Sequence, residues 1–327
     1  MPARISGVGK YLPERVLSNA DLEKLVDTND QWIVERTGIR ERRMAADHES
    51  SATMGAEAAR MALRTAGLQG DDVDLVICAT CTPDGMFPGS SAIIQDAIGA
   101  RHAGAFDVSA ACTGFVSAFT VGAQFIDSGI YNRVLVVGSE VYSRILNWSD
   151  RGTCILFGDG AGAVMLERGD EGASSFVLKS DGAAAHLLYA RGPASAPTSM
   201  MEQEGYYVRM NGSEVFKYAV RAMEDVTRQS VAGAGLSVDD INWVVPHQAN
   251  QRILNSYAKA LGLPEERVVS NLASYGNTSS ATIPIAMCEA WEDGRLKPGD
   301  NVVLTAIGGG LTWGACIVRW TALGCEQ

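Results

Sequence analysis

The 327-residue sequence is short of positive charge: 27 lysines and arginines stand against 38 aspartates and glutamates, a formal net charge of −11. That balance excludes nucleic acid as a bulk partner, because a phosphate backbone is held by cationic surface. Any acidic partner must dock on a local basic patch. No apolar run reaches the ~18 residues of a membrane-spanning helix, so no membrane partner is expected. The start, Met1-Pro2-Ala3-Arg4-Ile5, enters a strand-like segment directly and has nothing of a signal peptide. The seven cysteines are odd in number and lack framework spacing, which excludes a disulfide scaffold and points to a reducing, cytoplasmic setting. Cys78 and Cys81 form a lone CxxC without a second pair or nearby histidine, so no metal is expected. Histidine is scarce: His48, His102, His186 and His247 are all there are.

What is present is a duplicated α/β chain. Ala66-Gly67-Leu68 followed by Asp71-Asp72 returns as Ala234-Gly235-Leu236 followed by Asp239-Asp240. An apolar strand follows each copy, at residues 73–79 and 241–246, and a helical pattern precedes each, at residues 51–65 and 214–230. Strand-like Phe106-Asp107-Val108 and the apolar helix 114–128 match Val268-Val269-Ser270 and the helix 282–292. This alternation predicts βαβ units in largely parallel sheets, layered with helices buried between them. Helix 114–128 is apolar nearly all round and belongs in the interior. The expected division is 1–170 and 171–327, with a less regular linker over 166–209 opening the second half.

Cys112 lies between a strand and a helix among small residues, Ser109-Ala110-Ala111-Cys112-Thr113-Gly114. A helix start lowers a thiol's pKa, and small neighbours leave room for a substrate, which suits a nucleophile. A buried structural cysteine fits the local context equally well. Cys154, Cys288 and Cys316 lie in apolar elements and read as core, and Cys325 as tail. His247 ends the strand Trp243-Val244-Val245-Pro246 in the half opposite Cys112. Asn277 lies in Gly276-Asn277-Thr278-Ser279, which alone reads as a turn. Counting back 17 residues from Gly129 and Gly294, at the ends of the matched helices, reaches Cys112 and Asn277, which places them at equivalent points of the repeat. Gly308-Gly309-Gly310 offers unobstructed backbone N–H groups of the kind an oxyanion hole uses. Gly158-Asp159-Gly160-Ala161-Gly162 is followed by a strand rather than a helix, so it is no dinucleotide loop.

Together these motifs, with Trp32-Ile33, Arg36-Thr37-Gly38-Ile39, Asp150-Arg151-Gly152-Thr153, Pro246-His247-Gln248-Ala249-Asn250 and Thr312-Trp313-Gly314, resemble β-ketoacyl-acyl carrier protein synthase III, the initiating condensing enzyme of type II fatty acid synthesis. The resemblance runs from Ile5 to Trp320. It implies a thiolase-like fold, a homodimer and the triad Cys112, His247 and Asn277. It also implies an oxyanion hole from the N–H groups of Cys112 and Gly309. The reaction implied joins an acyl-CoA primer to malonyl-acyl carrier protein with loss of carbon dioxide; no cofactor is implied, because the CoA thioesters are substrates.

The same resemblance implies that Thr28, Trp32, Arg36 and Arg151 bind CoA, the adenine stacking between Trp32 and Arg151. The cationic run Arg36, Arg40, Arg42 and Arg43 suits a polyphosphate, although Arg42 and Arg43 also read as a solvated turn. Lys217 and Arg221 on one helix, and Arg252 and Lys259 on another, match the surface that docks acidic carrier protein. Phe87 matches a residue that crosses the dimer interface to bound the partner's acyl pocket, with Tyr142 near that pocket. Ile307, where many relatives carry Phe, and Ser213, where they often carry a larger polar residue, depart from the pattern, and residues 321–327 extend past its usual end. Two rivals stand beside this reading: a starter-unit ketosynthase or acyltransferase of a polyketide or secondary-metabolite pathway, which keeps the same triad, and a non-catalytic carrier-protein-binding homologue, against which the intact triad and glycine run argue.

Overall fold

The computed structural model describes residues 1–192 and 206–324, so Cys325 lies outside the described residues. Two sheets carry the fold. The first orders its strands Ala3–Tyr11, Asp159–Arg168, Arg133–Val141, Leu75–Ala79 and Gly104–Val108. The second orders Ala173–Ser180, Thr312–Arg319, Asn301–Gly308 and Trp243–Pro246. An isolated parallel bridge from Val244 to Val268 stands where the first sheet has its fifth strand. The two sheets thus share one strand order.

Each sheet is mixed rather than largely parallel. Leu75–Ala79 pairs parallel with both its neighbours, and Trp243–Pro246 runs parallel to Asn301–Gly308. The remaining ladders of both sheets are antiparallel. The cause is the connections: Asn301–Gly308 returns as Thr312–Arg319 through three residues, too few for the crossover that a parallel pair requires. The expected linker also holds a strand, since Ala173–Ser180 closes the edge of the second sheet.

Between the sheets lie the helices Gly114–Asp127 and Thr282–Glu292, packed into the core that both halves share. Phe115 and Phe119 are fully buried there, and each stabilises the fold by roughly 1.5–3 kcal/mol. The helices Ser51–Ala66, Gly212–Gly233 and Gln251–Leu261 cover the outer faces. Gly162 shows why the glycine-rich stretch after Phe157 exists: a Cβ there would stand 2.7 Å from the backbone N of Ile285. Glycine lets the central helix lie directly on the sheet.

Candidate active site

Cys112 sits in the 3₁₀ turn Ala111–Thr113, which runs straight into Gly114–Asp127. The turn is entered through Ala111 at φ 47°, a left-handed conformation that alanine adopts only when its surroundings enforce it. Cys112 is only 4% exposed. Burial pushes its thiol up to about 12, against the neighbouring Ser279 side chain, which pulls it down. A lowered pKa from the helix start was the sequence expectation; desolvation outweighs it, because a helix terminus acts through partial charges while burial removes the thiolate's whole hydration.

His247 follows the strand Trp243–Pro246 and donates its backbone N–H to Thr305 at 2.8 Å. Its ring is buried, and Nδ1 lies 2.8 Å from the Thr282 hydroxyl. Burial lowers its pKa to about 3, so the ring is neutral in the physiological range. Gln248, fully buried, donates to the carbonyls of Pro246 and Val269 and accepts from the Asn271 N–H. It ties the histidine loop to the segment that leads to Asn277.

Asn277 is held at both backbone groups: its N–H donates to Leu156 and its carbonyl accepts from Gly158. Its side-chain Oδ1 accepts from the Ser279 N–H at 2.8 Å. That bond leaves Nδ2 as the donor that Asn277 offers to the cavity it lines.

Cys112, His247 and Asn277 line one cavity of about 120 Å³. Its remaining wall is mostly apolar, including Leu156, Phe157, Leu188, Met210, Phe216 and Ile307, and the amide of the one other polar wall residue, Asn250, is bonded away to the Arg36 carbonyl. Three polar groups in an apolar chamber suit a thioester carbonyl on a hydrophobic arm. Gly308 closes the wall against Cys112: a Cβ there would stand 2.6 Å from the Cys112 backbone N and 3.0 Å from that of Thr113. The end of the strand therefore touches the backbone of Cys112 itself, which brings Gly309 beside the elbow.

The repeat aligns differently from the sequence count. Ser279 has φ 51°, the counterpart of Ala111, and opens the 3₁₀ turn Ser279–Ala281 into Thr282–Glu292. The structural equivalent of Cys112 is therefore Ser280, three residues after Asn277. The two helices differ in length, and counting from their ends moved the register. Ser280 is buried and donates to Glu140 Oε1 at 2.9 Å and is 2.8 Å from the Ala79 carbonyl. Glu140 also accepts from the Thr82 hydroxyl and the Cys81 N–H, and burial raises its pKa. Sequence reading passed over Gln248, Ser279, Ser280, Thr282 and Glu140. The repeat offset of 168 residues, applied from the helix starts, would have pointed to Ser280.

Trp32 stands with the Arg151 guanidinium 4.7 Å and that of Arg36 5.5 Å from its ring centre. Arg151 also donates to the Asp27 carbonyl at 2.7 Å. The nearby Thr28 hydroxyl oxygen is buried without a hydrogen-bond partner. The Arg36 carbonyl accepts from Asn250, a residue of the cavity wall, which joins this cluster to the mouth. Arg42 is a correction. It is neither solvated nor turned to a polyphosphate: its fully buried guanidinium donates to Leu17, Asn19 and Ile155. Arg43 is half-buried, donates to Pro13 and stacks near Tyr275. The cationic surface is smaller than the sequence promised.

Lys217, Arg221, Arg252 and Lys259 are all exposed on the two outer helices. Arg252 lies 5.5 Å from the ring of Phe216, which lines the cavity, so it sits beside the mouth. Phe87 is 86% exposed on a loop and is not with the triad of its own chain. Tyr142 is buried, stacks on Phe157 at 4.7 Å and accepts from the Ser279 hydroxyl. Ile307 forms part of the cavity wall, whereas Ser213 bonds Asn211 at a helix start. Cys78 is core, and among the described residues no group of His, Cys, Asp or Glu could hold a metal.

Family models match in two places. That for 3-oxoacyl-[acyl-carrier-protein (ACP)] synthase III covers residues 106–182, and that for its C-terminal region covers 231–320. A beta-ketoacyl-[acyl-carrier-protein] synthase III from Symbiobacterium thermophilum is 51% identical over 98% of both chains. One from Allorhizobium ampelinum is 50% identical over 97% of this chain and 98% of its own. Among solved structures, 3-oxoacyl-[acyl-carrier-protein] synthase III from Aquifex aeolicus superposes with a TM-score of 0.92 at 45% identity, covering 97% of this chain and all of that one. The priming beta-ketosynthase of the R1128 polyketide pathway superposes with a TM-score of 0.91 at 36% identity, covering 98% and 97%.

Proposed function

From a chain that belongs to the β-ketoacyl-acyl carrier protein synthase III family, a family of thiolase-fold condensing acyltransferases, we propose the following course for its initiating condensation. The Cys112 thiol gives up its proton as its sulfur attacks the thioester carbonyl of an acyl-CoA. The N–H groups of Cys112 and Gly309 hold the tetrahedral oxyanion. The C–S bond to CoA breaks, and the thiol proton leaves with CoA. Malonyl-acyl carrier protein then enters the same cavity. Asn277 Nδ2 and His247 Nε2 donate to its thioester carbonyl and stabilise the enolate formed as carbon dioxide departs. The enolate carbon attacks the acyl-Cys112 carbonyl, the C–S bond to Cys112 breaks, the Cys112 sulfur takes up a proton from solvent, and a 3-ketoacyl-acyl carrier protein leaves.

One observation carries this reading: a buried thiol, a neutral imidazole and an amide whose oxygen is already engaged line a single apolar cavity. The Trp32–Arg151 pair and Thr28 supply the CoA nucleotide site, with Arg36 beside it. Arg252 is the first contact of the acidic carrier protein, supported by Lys217, Arg221 and Lys259. Among the described residues Gly104–Val108 leaves one sheet edge unpaired, and Met86 and Phe87 of the same half are exposed. A second copy covering both gives a homodimer, in which Phe87 bounds the partner's acyl pocket. No described helix is long and apolar enough to cross a membrane, and the substrates place the enzyme in the cytoplasm.

The test is the intact mass of the protein after incubation with a panel of acyl-CoAs, with Cys112→Ser as control. A mass gain lost in the control is the expected result. No gain with any CoA thioester overturns the reading.

A further inference from the structure

His247 must present a proton on Nε2 if it is to hold an enolate oxygen, and a neutral imidazole has only one proton. What decides its place is the partner of the other nitrogen. Nδ1 faces the Thr282 hydroxyl at 2.8 Å, and that hydroxyl is also 2.9 Å from the Ser279 carbonyl. A hydroxyl has one proton and two lone pairs, so it can donate to only one of these two. The Ser279 carbonyl does not depend on it, because the Thr282 backbone N–H already donates there. The ring is buried, and the other hydrogen-bonding group beside it is that same Ser279 carbonyl, which can only accept.

We propose that Thr282 donates its hydroxyl proton to His247 Nδ1 and thereby fixes the ring as the Nε2–H tautomer. Thr282 is thus a positioning residue for the decarboxylation step, acting through His247; the inference rests on the reaction proposed above. Without the hydroxyl, the acceptor left to the ring is the Ser279 carbonyl. Nδ1 then takes the proton, and Nε2 turns a lone pair toward the substrate oxygen. The enolate loses one of its two side-chain donors.

The test uses full-length protein carrying nitrogen-labelled histidine. With only four histidines, His247→Ala assigns the relevant signals. In the wild type, Nε2 should show the protonated and Nδ1 the unprotonated nitrogen resonance. Thr282→Val should exchange them, and Thr282→Ser should restore the original pattern. Decarboxylation of malonyl-acyl carrier protein should fall by about 10²–10³-fold in Thr282→Val, the usual cost of one oxyanion donor, and recover in Thr282→Ser. Self-acylation of Cys112 should stay within a few-fold in both. A wild-type ring protonated on Nδ1, or a Thr282→Val ring that keeps its tautomer, overturns the proposal. The tautomer readout needs no turnover. A wild type that keeps Nε2–H but never acylates Cys112 would therefore sink the reaction while upholding the role of Thr282.

Discussion

The Ser279 backbone N–H donates to Asn277 Oδ1 at 2.8 Å, and this single bond decides which end of the amide meets the substrate. Oxygen is engaged inside the loop, and nitrogen is left for the cavity.

Asn277→Asp should therefore be more informative than alanine. The carboxylate still accepts from Ser279, so the loop keeps its shape, but the cavity loses a donor and gains an acceptor. Release of labelled carbon dioxide from malonyl-acyl carrier protein should drop by about 10²–10³-fold. Acylation of Cys112, followed by mass, should be retained.

The buried histidine makes stability depend on pH. Its folded pKa, about 3, lies below the unfolded value of 6.5. Between these values the unfolded chain binds the extra proton, so stability is full above pH 6.5 and is lost as pH falls toward 3. By pH 5 the loss from His247 should be about 2 kcal/mol. Urea unfolding of wild type and His247→Gln at pH 7.5 and pH 5 should show the larger loss in the wild type.

Gly308→Ala tests the contact between the two halves at the nucleophile. The added methyl would press on the Cys112 and Thr113 backbone at 2.6 and 3.0 Å, and neither can swing away. A stability loss of about 1–3 kcal/mol is expected from overpacking. Self-acylation should fall with it, because the elbow that aims the thiol must move.

Trp32→Ala removes the aromatic face between two guanidinium groups. Loss of base stacking costs about 1–3 kcal/mol. KM for the acyl-CoA primer should rise roughly tenfold or more, while kcat and the KM for malonyl-acyl carrier protein should change little. Steady-state kinetics with each substrate varied in turn would check the split.

Cys112 and His247 stood out because each sits where a strand gives way to a helix or loop, a change of period that a sequence displays, whereas Asn277 follows a short helix and was reached through a repeat count whose register the structure shifts. The duplication was legible for the same reason. Arg42 was not read correctly because a run of charges resembles a solvated turn. Yet Glu41–Met44 is a strand, and its alternation turns Arg42 inward together with Met44. Ala173–Ser180 was missed because an edge strand buries little of itself and carries a weak apolar signal. Thr282 could not be read at all: its role is a contact across 35 residues, created when one half's strand end meets the first turn of its own buried helix.

The elbow that carries Cys112 has a twin at Ser280, entered through the same left-handed backbone step. Duplication supplied two copies of one aiming device, and only one was kept for chemistry. The other points its oxygen into the opposite half, onto Glu140, and fastens the halves together beside the reaction chamber. The asymmetry is therefore one of side chains on a common backbone. The enzyme's two-fold ancestry survives as a lock whose position is set by the same geometry that positions the nucleophile. A change that loosens the lock should blunt the nucleophile without touching it.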